Sequence, residues 1–199
     1  KKAEWMLSPC DALRDNVVIK DHRLSDIHGN KFESQVILDD APNQLSVPGT
    51  HIGGLCIKGE LLEALNGFNE KMRCFEISEL ITRCALKQPR VLVYPNPLFR
   101  VVKLPDSAFT VLPHRIEGSR QMGESLFNLS NHYPQFSRGL IAKSRQSLNA
   151  YIAQLIRSGR KSEARDYLRT RFPHSRDKKW WRLWISTWQP DWLLRRRML

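Results

Sequence analysis

Between Gly53 and Thr110 the hydrophobic period of the chain changes from two residues to 3.6 and back, and this alternation restricts the fold more than any other feature. The run Leu55-Cys56-Ile57 is short and β-prone. It leads into a compact helix, Glu60 to Asn66, with Leu61, Leu62 and Leu65 on one side and Gly67 as its stop. The turn Gly67-Phe68-Asn69-Glu70 separates this helix from a second, Glu76 to Leu86, in which Ile77, Leu80, Ile81 and Cys84 recur at helical spacing. Val91-Leu92-Val93-Tyr94 reads as a buried strand, Pro95-Asn96-Pro97 breaks it, and Leu98 to Lys103 reads as another. Upstream, Val17-Val18-Ile19 reads as a strand, and 26–30 as a turn before a further strand near Phe32 to Leu38. Lys1 to Ser8 carries no pattern. Residues 1–112 are therefore expected to be mixed α/β.

Five pieces of this region occur in a specific order: Asn66-Gly67-Phe68-Asn69-Glu70, Glu76, Glu79-Leu80, Tyr94-Pro95-Asn96-Pro97-Leu98 and Pro105-Asp106-Ser107. The order resembles the C-terminal half of the catalytic domain of family-two, inverting glycosyltransferases of the GT-A fold. The resemblance implies an α/β fold: a partial GT-A-like mixed sheet with helices over 1–112, the acceptor-side part of that domain, followed by an all-helical region over 113–199. It also implies an enzyme that transfers a sugar from a nucleotide-sugar donor to a glycan or lipid-linked acceptor in bacterial surface polysaccharide synthesis, cytoplasmic and peripheral on the inner membrane. Mg2+ or Mn2+ is the implied cofactor. The family's nucleotide-binding opening and its Asp-x-Asp motif have no counterpart in this sequence, so ligands for that metal are not identifiable here. The donor-binding half is expected from a longer chain, of which this one is a fragment.

The loop that the resemblance places beside acceptor and donor phosphates is Pro48 to Gly54, which points to His51, Gly53 and Gly54, and Lys103 supplies a cation nearby. Glycines let a backbone approach a ligand closely, although the same segment reads equally as a strand entry that merely turns. Inverting transfer needs a carboxylate to take the proton of the attacking hydroxyl, and a metal or cationic group to stabilise the departing nucleoside diphosphate. Where the family carries that carboxylate, this chain has Ile77, which fits the apolar stripe of its helix. Glu76 and Glu79, on the other face, are the candidate bases. They also read as a solvated face with one ion pair, Glu79 to Arg83 at i, i+4. Ile77, with Val102 and Leu104 where the family has Arg and His, keeps a second function open: a degenerate, non-catalytic module binding a carbohydrate, a partner protein or an anionic membrane. Asp39-Asp40 precede Ala41-Pro42 and read as a solvated loop, so no metal ligands are assigned.

The four cysteines show neither CxxC pairing nor histidines at zinc spacing, which makes reduced, structural thiols the expectation. No apolar run is long enough to span a bilayer. The net charge of +12 is unevenly distributed. From Arg138 to Leu199 there are 16 Lys/Arg against four acids, whereas residues 1–137 hold 16 of each sign. Any anionic partner is thus expected at the C-terminal end.

Beyond Pro113 the pattern is helical. Ile116 to Ser130 is a modest helix weakened by Gly118 and Gly123, and Phe136 to Arg157 is stronger, with a stripe through Leu140, Leu148, Ile152 and Leu155. Ser158-Gly159 ends it before a shorter helix over 161–171, a pair that resembles one tetratricopeptide-like hairpin. Five of the six tryptophans follow, interleaved with Lys178, Lys179, Arg182 and Arg195-Arg196-Arg197, and Trp180, Trp184 and Trp188 share one helical face. This segment suits the headgroup region of an anionic membrane. Stacking on single-stranded nucleic acid ranks below that, and packing within the chain remains the plain alternative.

Overall fold

The computed structural model describes residues 3–7, 10–14, 17–22, 36–44, 54–72, 74–94, 99–102, 112–170 and 178–190. They form two compact units, Lys1–Val111 and Leu112–Leu199, and the chain as a whole is mixed α/β. The turn expected over 26–30 and the Pro95-Asn96-Pro97 break lie outside the described residues.

The first unit contains two sheets. In the four-stranded one the order is β4 (Val36–Leu38), β6 (Val91–Val93), β1 (Trp5–Leu7), β5 (Leu55–Ile57). β1 runs parallel to β6 and antiparallel to β5, while β4 is antiparallel to β6. The second sheet pairs β2 (Cys10–Arg14) antiparallel with β3 (Val17–His22) and parallel with β7 (Phe99–Val102), with a register shift between Ala12 and Leu13. The patternless N-terminus therefore supplies an inner strand. Trp-Met-Leu is too short to show alternation, and its pairing is set from both sides, with Tyr94 N–H donating to the Leu7 carbonyl and Lys58 N–H to that of Glu4.

A short helix, α1 (Ala41–Gln44), follows β4, and its first N–H donates to the Pro89 carbonyl. Two further helices connect β5 to β6: α2 (Gly59–Ala64) and α3 (Glu76–Lys87). On α3, Leu80, Ile81 and Cys84 are completely buried, as are Val91 and Val93 on β6. They join Leu7, Leu38, Ala41 and Leu61 in one core, with Ile77 packed at its margin. Each fully buried aliphatic side chain contributes about 2 kcal/mol by removal from water, so α3 is held to the unit by packing more than by intrinsic propensity.

The second unit is helical: α4 (Leu112–His132), a 3-10 turn at Pro134–Phe136, α5 (Ser137–Arg157), α6 (Lys161–Thr170) and α7 (Lys178–Ser186). The short turn folds α5 back antiparallel on α4. Gly123 lies inside α4 at a close contact with α5. A Cβ at that position would stand 2.5 Å from Leu148 Cγ, and Ser144 Oγ donates to the Gly123 carbonyl at 2.6 Å. The helix-weakening glycine of the sequence is thus the contact that lets two long helices approach. α5 ends with Arg160 N–H bonded to the Leu155 carbonyl, and α6 packs Ala164, Tyr167 and Leu168 back against Leu148, Ile152 and Leu155.

Candidate functional site

The start of α3 is built by the turn that precedes it. α2 finishes through Asn66 and Gly67, both left-handed at φ 56° and 64°, a conformation that Asn and Gly adopt most readily. Gly67 N–H donates to the Leu62 carbonyl at 3.0 Å. Asn69 then organises the next turn: its side chain accepts from Lys71 N–H and its carbonyl from Met72 N–H. Phe75, also left-handed at φ 66°, swings the chain into α3, and its carbonyl accepts from Glu79 N–H. A bulky residue is uncommon in this conformation, which costs on the order of 1 kcal/mol. The entry angle of α3 is therefore set by the surrounding contacts and not by local preference.

Glu76 is the first residue of α3 and is partly exposed, whereas Glu79, one turn on, is only 3% exposed. The single Arg83 Nε–H is shared by the two Glu79 carboxylate oxygens, each 2.9 Å away, and Nη2 pairs with the same carboxylate at 2.8 Å. Arg83 has a second task. Its Nη1 donates to the Leu65 carbonyl at 2.6 Å and its Nη2 to that of Gly67 at 2.8 Å. One guanidinium thus joins the buried acid of α3 to the end of α2, fixing the Asn66-Gly67-Phe68 turn relative to the helix that begins at Glu76. Between the two acids, Ile77 turns inward to the core. Burial pushes the Cys84 thiol, on the inner face of α3, up to about 11, so it remains protonated and unreactive.

Of the phosphate-loop candidates, Gly54 is buried immediately before β5, while His51, Gly53 and Lys103 lie outside the described residues. Asp39 pairs with Arg90 at 2.5 Å on the surface. Among the described residues no group of three His, Cys, Asp or Glu is placed to hold a metal ion.

The second candidate region is α7 and the turn after it. Trp180 is buried and stacks on Trp184, with ring centroids 5.3 Å apart and planes 8° apart, and both pack against the unit's core. Trp188 lies on the same side but emerges: it is 64% exposed, with the Arg165 guanidinium 4.3 Å above its ring. Lys178, Lys179 and Arg182 are exposed, and Arg195, Arg196 and Arg197 lie outside the described residues. The indole stripe of the sequence thus divides. Two rings anchor α7 and the third joins Trp181 and Ile185, 50% and 53% exposed, on the outside. Trp181, Ile185 and Trp188 also recur at i, i+4, i+7, a signal present in the sequence but overshadowed by the three tryptophans at i, i+4, i+8.

Between these helices a polar network ties α4, α5 and α6 together. Arg120 bridges Glu117 and Glu124 on α4, Tyr167 Oη donates to Glu124 at 2.9 Å, and Tyr151 Oη donates to Glu163 at 3.2 Å. The Arg120 hydrogen bond holds the Glu117 carboxyl below its ordinary range. Burial, reinforced by the Glu163 charge, raises Tyr151 to about 12, and burial beside Glu124 also raises Tyr167. Every polar end of this network has a partner within it, the arrangement of a structural brace.

None of the helices among the described residues is long and apolar enough to cross a membrane. Comparison of the chain with models of known protein families, with curated proteins and with solved structures finds no match.

Proposed function

We propose that the first unit is the acceptor-side part of an inverting, GT-A-like glycosyltransferase and that Glu76 is its general base. The observation that carries this reading is the division of labour at the start of α3. Glu79 is buried against Arg83, which braces the Asn66–Phe68 turn, while Glu76, at the first position of the same helix, is a partly exposed residue. A base must be held rigidly yet reach its substrate, and the brace provides the first condition without consuming Glu76. In the reaction, the Glu76 carboxylate takes the proton of an acceptor hydroxyl. That oxygen bonds to the anomeric carbon as the bond from this carbon to the diphosphate oxygen breaks, and the nucleoside diphosphate carries away the electron pair. The donor is a nucleotide sugar held by a longer chain, and the acceptor a glycan or lipid-linked saccharide at the cytoplasmic face of the membrane.

The second reading, a non-catalytic transferase-like module, is favoured by one observation: Ile77, at the position of the family's carboxylate, is part of the hydrophobic core margin. Turnover of the full-length protein with a panel of nucleotide sugars and lipid-linked acceptors separates the two. Under the enzyme reading Glu76→Gln lowers kcat by roughly 10²- to 10⁴-fold with an unchanged melting temperature. Unchanged turnover in Glu76→Gln removes Glu76 from the mechanism, and absence of transfer across the whole panel favours the binding module.

A further inference from the structure

The outer face of α7 matches a specific kind of surface. With 3.6 residues per turn, Trp180, Leu183, Trp184 and Thr187 face the unit's core, and the outward arc runs in the order Trp188, Trp181, Ile185, Lys178, Arg182. Among the described residues of this unit the first three are the large apolar side chains left about half exposed or more, and the next two are exposed cations. The two indoles alone present on the order of 300 Å² of apolar surface, the size of patch that proteins put to use. The strip is also rigid. Trp180 and Trp184 are stacked beneath it, Arg165 Nη1 donates to the Thr187 carbonyl at 2.9 Å, and Lys161 Nζ donates to that of Gln189 at 2.6 Å, so α6 holds the end of α7 in place.

We infer that this face docks on the surface of an anionic phospholipid bilayer, with Trp181, Ile185 and Trp188 entering the interfacial layer while Lys178 and Arg182 meet the lipid phosphates. Charge complementarity supports the assignment, since the excess of +12 lies wholly in the C-terminal stretch from Arg138. The chemistry of the strip does so as well. Indoles with a polar N–H favour the headgroup boundary, and lysine and arginine stems can lie along apolar surface while their charged ends stay in the phosphate layer. Ile185, next to Trp181 on this strip, favours lipid over single-stranded nucleic acid, because an aliphatic side chain offers a base no ring to stack on. The inference stands apart from the transferase reading and involves none of its residues.

The test is sedimentation of the full chain with phosphatidylcholine vesicles and with vesicles containing phosphatidylglycerol, together with tryptophan emission. The expected result is binding to the anionic vesicles only, weakened by salt and accompanied by a blue shift. Trp181→Ser with Ile185→Ser should weaken it at least tenfold, and Lys178→Gln and Arg182→Gln about fivefold each. Both sets change exposed side chains, and circular dichroism checks that the helices persist. Ile37→Ser, an exposed apolar residue of the first unit, should leave binding unchanged. Absence of anionic-vesicle binding by the folded chain, or binding indifferent to the Trp181/Ile185 pair, overturns the proposal. So does finding that the pair instead abolishes self-association or oligonucleotide binding while vesicles are ignored.

Discussion

Replacing Arg83 by methionine tests the brace that positions α3. Methionine preserves most of the stem volume but removes five donors, among them those that the Glu79 carboxylate, whose side chain is 4% exposed, accepts from. It also removes the donors to the Leu65 and Gly67 carbonyls. Breaking a buried ion pair costs about 3–5 kcal/mol, and because the Arg83 side chain is 17% exposed, so that water can enter, the lower end, about 3 kcal/mol, applies. Glu79→Gln retains one acceptor and should cost about 1.5 kcal/mol. The double variant should be less destabilised than the sum by at least about 1 kcal/mol, since the two side chains bond each other directly. Native-state hydrogen exchange is the suitable assay, because it reports on this unit without assuming that both units unfold together. For Arg83→Met, 3 kcal/mol corresponds to roughly 140-fold faster exchange of the Leu65 and Gly67 amides. Acceleration below about tenfold, or an additive double-mutant cycle, would refute the claim that Arg83 joins the turn to the helix.

Other consequences are as direct. Gly123→Ala introduces a Cβ 2.5 Å from Leu148 Cγ and 3.2 Å from the Ser144 carbonyl, and should cost about 1–3 kcal/mol in urea unfolding; Leu148→Ala in the same chain should offset part of that cost. Tyr151 and Tyr167 hold their protons more tightly when folded, so their contribution to stability is complete below pH 10 and is lost as the pH rises toward 12. Their tyrosinate absorbance should appear together with unfolding, and appearance near pH 10 in folded protein would contradict the network described.

Much of the element pattern is legible from spacing. Leu80, Ile81 and Cys84 lie on the buried face of α3 as their periodicity requires, and Val91 and Val93 are buried on β6 with Leu92 between them less so. Reading failed where the determining contacts are distant in sequence. The strand Trp5–Leu7 exists because β5 and β6 flank it, and Gly123 is compatible with α4 because Leu148 fills the space its missing side chain leaves. At the candidate site, the sequence identifies Glu76, Glu79 and the ion pair with Arg83 from i, i+4 spacing. The same arginine's bonds to carbonyls 16 and 18 residues earlier leave no local trace.

The sequence alone thus determined the order of strands and helices from β5 to α6, the Gly67 stop after α2, and the concentration of positive charge after Arg138. These follow from side-chain periodicity, backbone preference and composition, all of which are local. Only the tertiary structure decided that Glu79 is buried while Glu76 keeps access to solvent, and that Trp180 and Trp184 turn inward while Trp181, Ile185 and Trp188 turn out. A helix with apolar residues on more than one face can bury only the face that meets a complementary core, and which face that is depends on the shape of the elements it packs against.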